Sequence, residues 1–187
     1  MNNNYIITHD IDWFCIISGK PIHVASAGGG LPKSIKNLKQ LHDWQRKVGE
    51  ISFRSEVELN RSYISQNIIQ KDYNDFDYDY FPQENDFIIE LDNYGLNIIE
   101  KEYYNTFVEM AIRGFYSFDR NLHDEDNNTY HIVARTINPN RELLEMLKES
   151  GVPMIETSDI NLNGNMESLN NIELVKLIDS ITDPLRY

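Results

Sequence analysis

Two apolar runs, Asp12 to Ser18 and Pro21 to Ser26, meet at Gly19-Lys20. The pattern predicts a β-hairpin, with Gly19 as the first central residue of a two-residue type II′ turn. With Ser18 opposite Pro21, one face carries Trp13, Cys15, Ile17, Ile22, Val24 and Ser26. The other face carries Asp12, Phe14, Ile16, His23 and Ala25. Side chains in a strand alternate between faces, so the first set reads as a core face.

Beyond the glycine run Gly28-Gly29-Gly30, the spacing of Ile35, Leu38, Leu41 and Trp44 predicts a helix over Lys33–Val48, ended by Gly49. Ile51 to Asn60 alternates apolar with polar and predicts a strand with one wet face. A tight turn at Asn60-Arg61 would lead to a second strand, Ser62–Gln70, and a short strand is expected over Asp86–Leu91. Ile98–Arg113 repeats apolar residues at Ile99, Tyr103, Phe107, Met110 and Ala111, as an amphipathic helix does, and Gly114 stops it. Phe115–Arg120 and Thr129–Ile137 read as strands. Asn138 and Pro139 then open a helix through Leu143, Leu144 and Leu147, closed by Gly151 and Pro153. Val152–Glu156 would complete a βαβ unit over 129–156, and a last helix is expected near Glu167–Ile181. The sum is an α+β single domain over residues 1–187, a mixed and mainly antiparallel sheet packed against three to four helices.

Charge changes this picture in one region. The chain carries a formal net charge of −13, and residues 62–112 hold eleven acids against Lys71 and Lys101. Inside that span carboxylates alternate with rings: Asp72, Tyr73, Asp75, Phe76, Asp77, Tyr78, Asp79, Tyr80 and Phe81. Pro82 and the lack of a helical period make 71–85 a loop. Such a surface repels nucleic-acid phosphate and anionic lipid and attracts basic protein. Opposite charge gathers at 33–61, with seven Lys/Arg against four acids. Self-association of that patch with the acidic loop is a further reading, making the chain a homo-oligomer. A single cysteine excludes an internal disulfide and fits a reducing compartment. Met1–Tyr5 has no basic leader and no apolar run reaches about 18 residues, so no membrane span and a cytoplasmic address are expected.

The candidate chemistry is sparse. Gly28, Gly29, Gly30, Lys33 and Ser34 resemble the end of a phosphate-binding loop, but Pro32 has no N–H to donate and the glycine spacing departs from GxxxxGK[ST]. Cys15 shares the apolar face and should stay an inert thiol. His9-Asp10-Ile11-Asp12 and His123-Asp124-Glu125-Asp126 lack the spacing of zinc or calcium sites, so no metal or cofactor is expected. His23 and His131 lie on strands among apolar neighbours. If their strands are adjacent, His23, His131, Arg135 and Asp12 gather in a cleft suited to acid–base work. No hydrolase, kinase or deaminase motif is present.

Two functions follow as expectations. The first is a non-enzymatic acidic binding domain, neutralising in the manner of an immunity or mimic protein. It would engage a basic protein partner, and neither nucleic acid nor membrane, through 72–87. The second is a phosphate- or small-ligand-binding enzyme that uses the Gly28–Ser34 loop with His23, His131 and Arg135.

Overall fold

The computed structural model describes residues 11–35, 37–69, 91–122 and 128–182. Among them, six strands form one mixed sheet accompanied by five α-helices, an α+β arrangement. In chain order the strands are β1 (Asp12–Ile17), β2 (Lys20–Ala25), β3 (Val57–Leu59), β4 (Tyr116–Arg120), β5 (Tyr130–Thr136) and β6 (Met154–Ile155). Their order across the sheet is β3-β5-β4-β2-β1-β6. Three of the pairings are antiparallel, while β2–β4 and β1–β6 are parallel. The helices are α1 (Leu38–Gly49), α2 (Arg61–Ile64), α3 (Ile98–Arg113), α4 (Arg141–Glu149) and α5 (Leu174–Thr182). None is long and apolar enough to cross a membrane.

The hairpin forms, with a shifted turn. Ile17 pairs with Lys20, so the turn residues are Ser18 and Gly19, both at positive φ (47° and 71°), as in a type I′ turn. A left-handed serine is disfavoured. Ser18 is held there because its hydroxyl donates to the Thr157 carbonyl at 2.9 Å and its backbone N–H to the Ile155 carbonyl. The slip is by a whole pair of residues, so both faces keep their members.

Trp13, Cys15, Ile22, Val24, Phe118 and Ile132 face the larger core, filled by Leu41 and Trp44 of α1, Leu143 and Leu147 of α4, and Leu174 and Ile178 of α5. The opposite face packs Ala25, Val133 and Ala134 against Tyr104, Phe107, Val108 and Ala111 of α3. A capping box starts α3: the Asn97 side chain accepts from the Glu100 N–H and the Glu100 carboxylate accepts from the Asn97 N–H.

Several expectations give way to longer-range packing. The first helix begins at Leu38 under an Asn37 cap, five residues later than its pattern suggests. Of Ile51–Asn60 only Val57–Leu59 pairs. Ser62–Gln70 is not a strand: α2 runs into a wide π-helical turn, Ser65–Ile69, which buries Ile64 and Ile68 four residues apart on one side. Asn140, not Asn138, caps α4. No βαβ unit joins β5 to β6, since β6 pairs with β1, at the far end of the sheet from β5. The final helical region is split into a 3-10 turn, Met166–Leu169, and α5. Of the strand expected over Asp86–Leu91, only Leu91 lies within the described residues, and it opens a 3-10 turn.

Candidate functional site: the carboxyl edge of β2 and β4

Strand register sets polar side chains in rows beneath α3. One row crosses four strands as Asp12, Ala25, Asp119 and His131; the next reads Phe14, His23, Ser117 and Ala134. Because β2 and β4 run parallel, the first row lies at the carboxyl ends of both. Open sheets with parallel strands commonly place ligands at that edge. Asp12, His23 and His131 thus share a face, but β4 stands between the two histidine strands.

Arg135 does not join them. Ser117 pairs with Ala134 while Phe118 pairs with Ile132, so Val133 is an extra residue that bulges β5. Val133 and Ala134 both enter the cluster beneath α3, and Arg135 is turned to the opposite face beside Tyr116. There it bonds the Glu58 carboxylate at 2.7 Å and the Leu162 and Gly164 carbonyls. Strict alternation along β5 had placed Arg135 with His131, and the bulge overrides it.

His23 is fully buried, with its Nδ1 2.6 Å from the Ser117 hydroxyl. Its Nε2 stands 3.5 Å from an Asp12 carboxylate oxygen, within ion-pair range. That contact lacks hydrogen-bond geometry, and Nε2 is left without a hydrogen-bond partner. Asp12 keeps 29% of its side chain in solvent. Phe14, Phe107 and Phe115 surround the imidazole, with ring centroids 5.7, 6.2 and 6.4 Å away. The arrangement has the members of a Ser-His-Asp triad, but Ser117 is sealed from solvent and has no open approach for a substrate.

His131 belongs to a second network. Its Nδ1 lies 2.6 Å from the Asn121 side-chain oxygen and its Nε2 3.0 Å from the Tyr103 hydroxyl, which also donates to Asp119 at 2.9 Å. Asn121 is oriented by the two bonds its amide donates, to Thr129 and Asn171, so His131 Nδ1 carries the proton. Burial pushes the His131 pKa down to about 3, so the ring is neutral at pH 7. Tyr103 then has one proton for two acceptors, Asp119 and His131 Nε2.

The glycine run is closely packed at Gly29. Ser26 accepts from the Gly29 N–H at 2.6 Å across a tight turn in which Ala27 and Gly28 take φ of 42° and 75°. A Cβ on Gly29 would meet the Ser26 carbonyl at 2.8 Å, Arg120 Cδ at 2.9 Å and the Tyr130 hydroxyl at 3.1 Å. Gly29→Ala is therefore expected to lower stability by about 1–3 kcal/mol; an unchanged urea midpoint would contradict this packing. The Lys33 N–H already donates to the Asp179 carboxylate at 2.8 Å. Gly30 lies near Asn128, Lys33 is exposed, and the Ser34 hydroxyl is buried without a partner. Also unpaired are the Tyr130 hydroxyl, Arg120 Nε and Asn128 Oδ1, all close to this turn. Burial pushes the Tyr130 phenol up to about 12.

Cys15 is buried, which drives its thiol pKa far up and leaves no thiolate. Two grooves among the described residues lie away from the polar rows. One of about 520 Å³ is lined by Ile51, Phe53, Arg54, Ile112 and Arg113, and another of about 580 Å³ by Lys39, Asp43, Arg46, Lys47 and Glu149. No group of three His, Cys, Asp or Glu side chains among the described residues is placed to hold a metal. The Tyr73–Phe81 segment, His9-Asp10 and His123–Asp126 lie outside the described residues. Comparison with protein-family models, curated proteins and solved structures returned no match.

Sequence reading missed Ser117, Asp119 and Tyr103. A signal was present: Ser117 and Asp119 are polar residues two apart in a strand whose Phe115, Tyr116 and Phe118 are apolar. Such a pair on one buried face needs partners.

Proposed function

We propose that the chain is an acidic, single-domain cytoplasmic protein that binds a basic protein partner, in the neutralising manner of immunity or mimic proteins, through residues 72–87. The alternation of carboxylates with aromatic rings from Asp72 to Phe81 carries this reading. Rings supply contact area, and carboxylates steer encounter and pair with arginine. The flanks add support. Ile68 and Ile69 before the segment and Leu91 after it all pack into the cluster beneath α3. Charge reversal at Asp75, Asp77 and Asp79 is expected to lower capture of the basic partner at low salt about tenfold or more and to flatten its salt dependence. Unchanged capture at both low and high salt would remove the proposal.

A small-ligand reading, enzymatic or not, draws on a different observation. Gly28–Ser34 follows the carboxyl end of β2, beside Arg120 and the unpaired Tyr130 hydroxyl. His23 and His131 line the other face of the same edge. Saturable thermal stabilisation by a nucleotide or phosphorylated metabolite, abolished by Arg120→Gln, is the expected result for this reading. A flat response across such a screen would dismiss it.

A further inference from the structure

From the cavity where β2, β4 and α4 meet, we infer a binding site for a small organic carboxylate, an anionic head with a short apolar tail. The cavity measures about 70 Å³ and is more enclosed than the two grooves described above. It lies at the amino ends of β2 and β4, the far end of these strands from the Gly28–Ser34 turn. Ile22 pairs with Tyr116 across the parallel strands, so Lys20, two residues earlier, shares the face of Tyr116. The Lys20 ammonium stands 6.0 Å from the Tyr116 ring centroid, within cation–π range. β5 runs antiparallel to β4 and ends here, so the turn at Pro139 brings Arg141, the first residue of α4, to the same cavity.

Three observations point to an anion. The walls carry Lys20 and Arg141 and no acid, in a chain whose formal net charge is −13. Lys39, Arg46, Arg113, Lys148 and Lys176 each take a carboxylate within four residues, whereas Lys20 and Arg141 take none among the described residues. Tyr116, also in the wall, is only 6% exposed, yet its hydroxyl makes no hydrogen bond among the described residues. A polar group so deeply placed needs a partner. Burial raises the Tyr116 pKa, so the phenol keeps its proton and is a donor at pH 7. The amino end of α4 adds its partial positive charge.

Size and lining separate the candidate anions. The cavity offers several times the roughly 10–15 Å³ that one water needs, enough for a head group and a few carbons but not for a nucleotide. Pro21, Leu144 and Ile137, the last left 55% exposed, form its apolar side. An inorganic phosphate would turn oxygens toward these side chains and lose their solvation, whereas an alkyl tail buries against them. A planar carboxylate also matches the Arg141 guanidinium edge to edge. The site stands independently of both the 72–87 segment and the glycine turn. Its carboxylate can come from a free metabolite or from the last residue of a polypeptide, and the probes separate the two.

The test is an NMR titration of the full chain at fixed ionic strength, following the backbone amides of Gly114 and Arg141. The probes are isovalerate, its neutral analogue isovaleramide, Nα-acetyl-alanyl-leucine and inorganic phosphate. Saturable binding of either carboxylate, with isovaleramide and phosphate each at least tenfold weaker, supports the site. Preference for isovalerate indicates a free ligand, and preference for the acetylated dipeptide indicates a chain terminus. Lys20→Gln, at a part-exposed position, and Arg141→Gln, at an exposed one, should each weaken binding about fivefold or more while circular dichroism stays unchanged. Tyr116→Phe removes only the hydroxyl and should weaken binding as well. The inference is overturned by no saturable shift at about 20 mM of either carboxylate, a concentration well above that needed for a charge-assisted contact of this kind. It is equally overturned if isovaleramide or phosphate binds as tightly as the carboxylates, or if both glutamine variants leave binding intact.

Discussion

Trp44→Ala is expected to lose about 3–5 kcal/mol of stability, the range for removing a large buried ring. Against a typical total of about 5–15 kcal/mol, that leaves the fold marginal. Trp44 is buried among α1, α4 and the sheet, and its indole N–H donates to the Ser150 carbonyl at 3.0 Å, just past the end of α4. The ring therefore both fills volume and ties α1 to α4. Lys47 adds a second tie, to the Ser150 hydroxyl at 2.8 Å. Trp44→Phe separates the two contributions, since it keeps most of the apolar surface and loses the indole donor. It should cost about 1–2 kcal/mol beyond the volume term, because the Ser150 carbonyl loses a partner. Urea unfolding read by circular dichroism checks both variants. A loss below about 1 kcal/mol for alanine would mean that the packing around α1 relaxes easily.

The second large effect is acid sensitivity. His131 is held neutral by burial, with a folded-state pKa of about 3 against an ordinary 6.5. The unfolded chain then binds the extra proton first, so stability is complete above about pH 6.5 and is lost progressively as pH falls toward 3. At pH 4 the single group is expected to cost about 3 kcal/mol. Carboxylates titrate in part of this window, so the difference between wild type and His131→Gln isolates the histidine. The variant starts less stable at pH 7, because Tyr103 and Asn121 lose their imidazole contacts. Its stability should fall less steeply between pH 6.5 and 4. Equal slopes for the two proteins would show that His131 takes its proton while still folded, with Asp119 accepting from Tyr103 in a chain of charge-assisted bonds.

Much of the fold is legible in the sequence wherever periodicity is strong. Ile98–Arg113 is one helix because its caps and stripe agree, although Tyr104 and Val108 share the buried side with Phe107 and Ala111. The faces of the hairpin follow from alternation alone. Its turn does not, because Ser18 is fixed by Thr157, far along the chain. Ser62–Ile69 is short and fits either period, and tertiary packing of Ile64 and Ile68 decides for helix. At the site, Asp12, His23 and His131 could be placed on one side from their strands, given a register. Arg135 could not, because a single bulged residue reverses every side chain after it. Ser117, Asp119 and Tyr103 become visible only when the rows are assembled, since each looks like an ordinary strand or helix residue in isolation.

Cys15 pairs with Ile22 in the middle of the hairpin and is wholly enclosed. A thiol reagent in the surrounding solution can therefore reach this sulfur only when the larger core opens around it. The rate at which the protein takes up such a label becomes a clock for the rarest openings of its interior, built in by the chain's one cysteine.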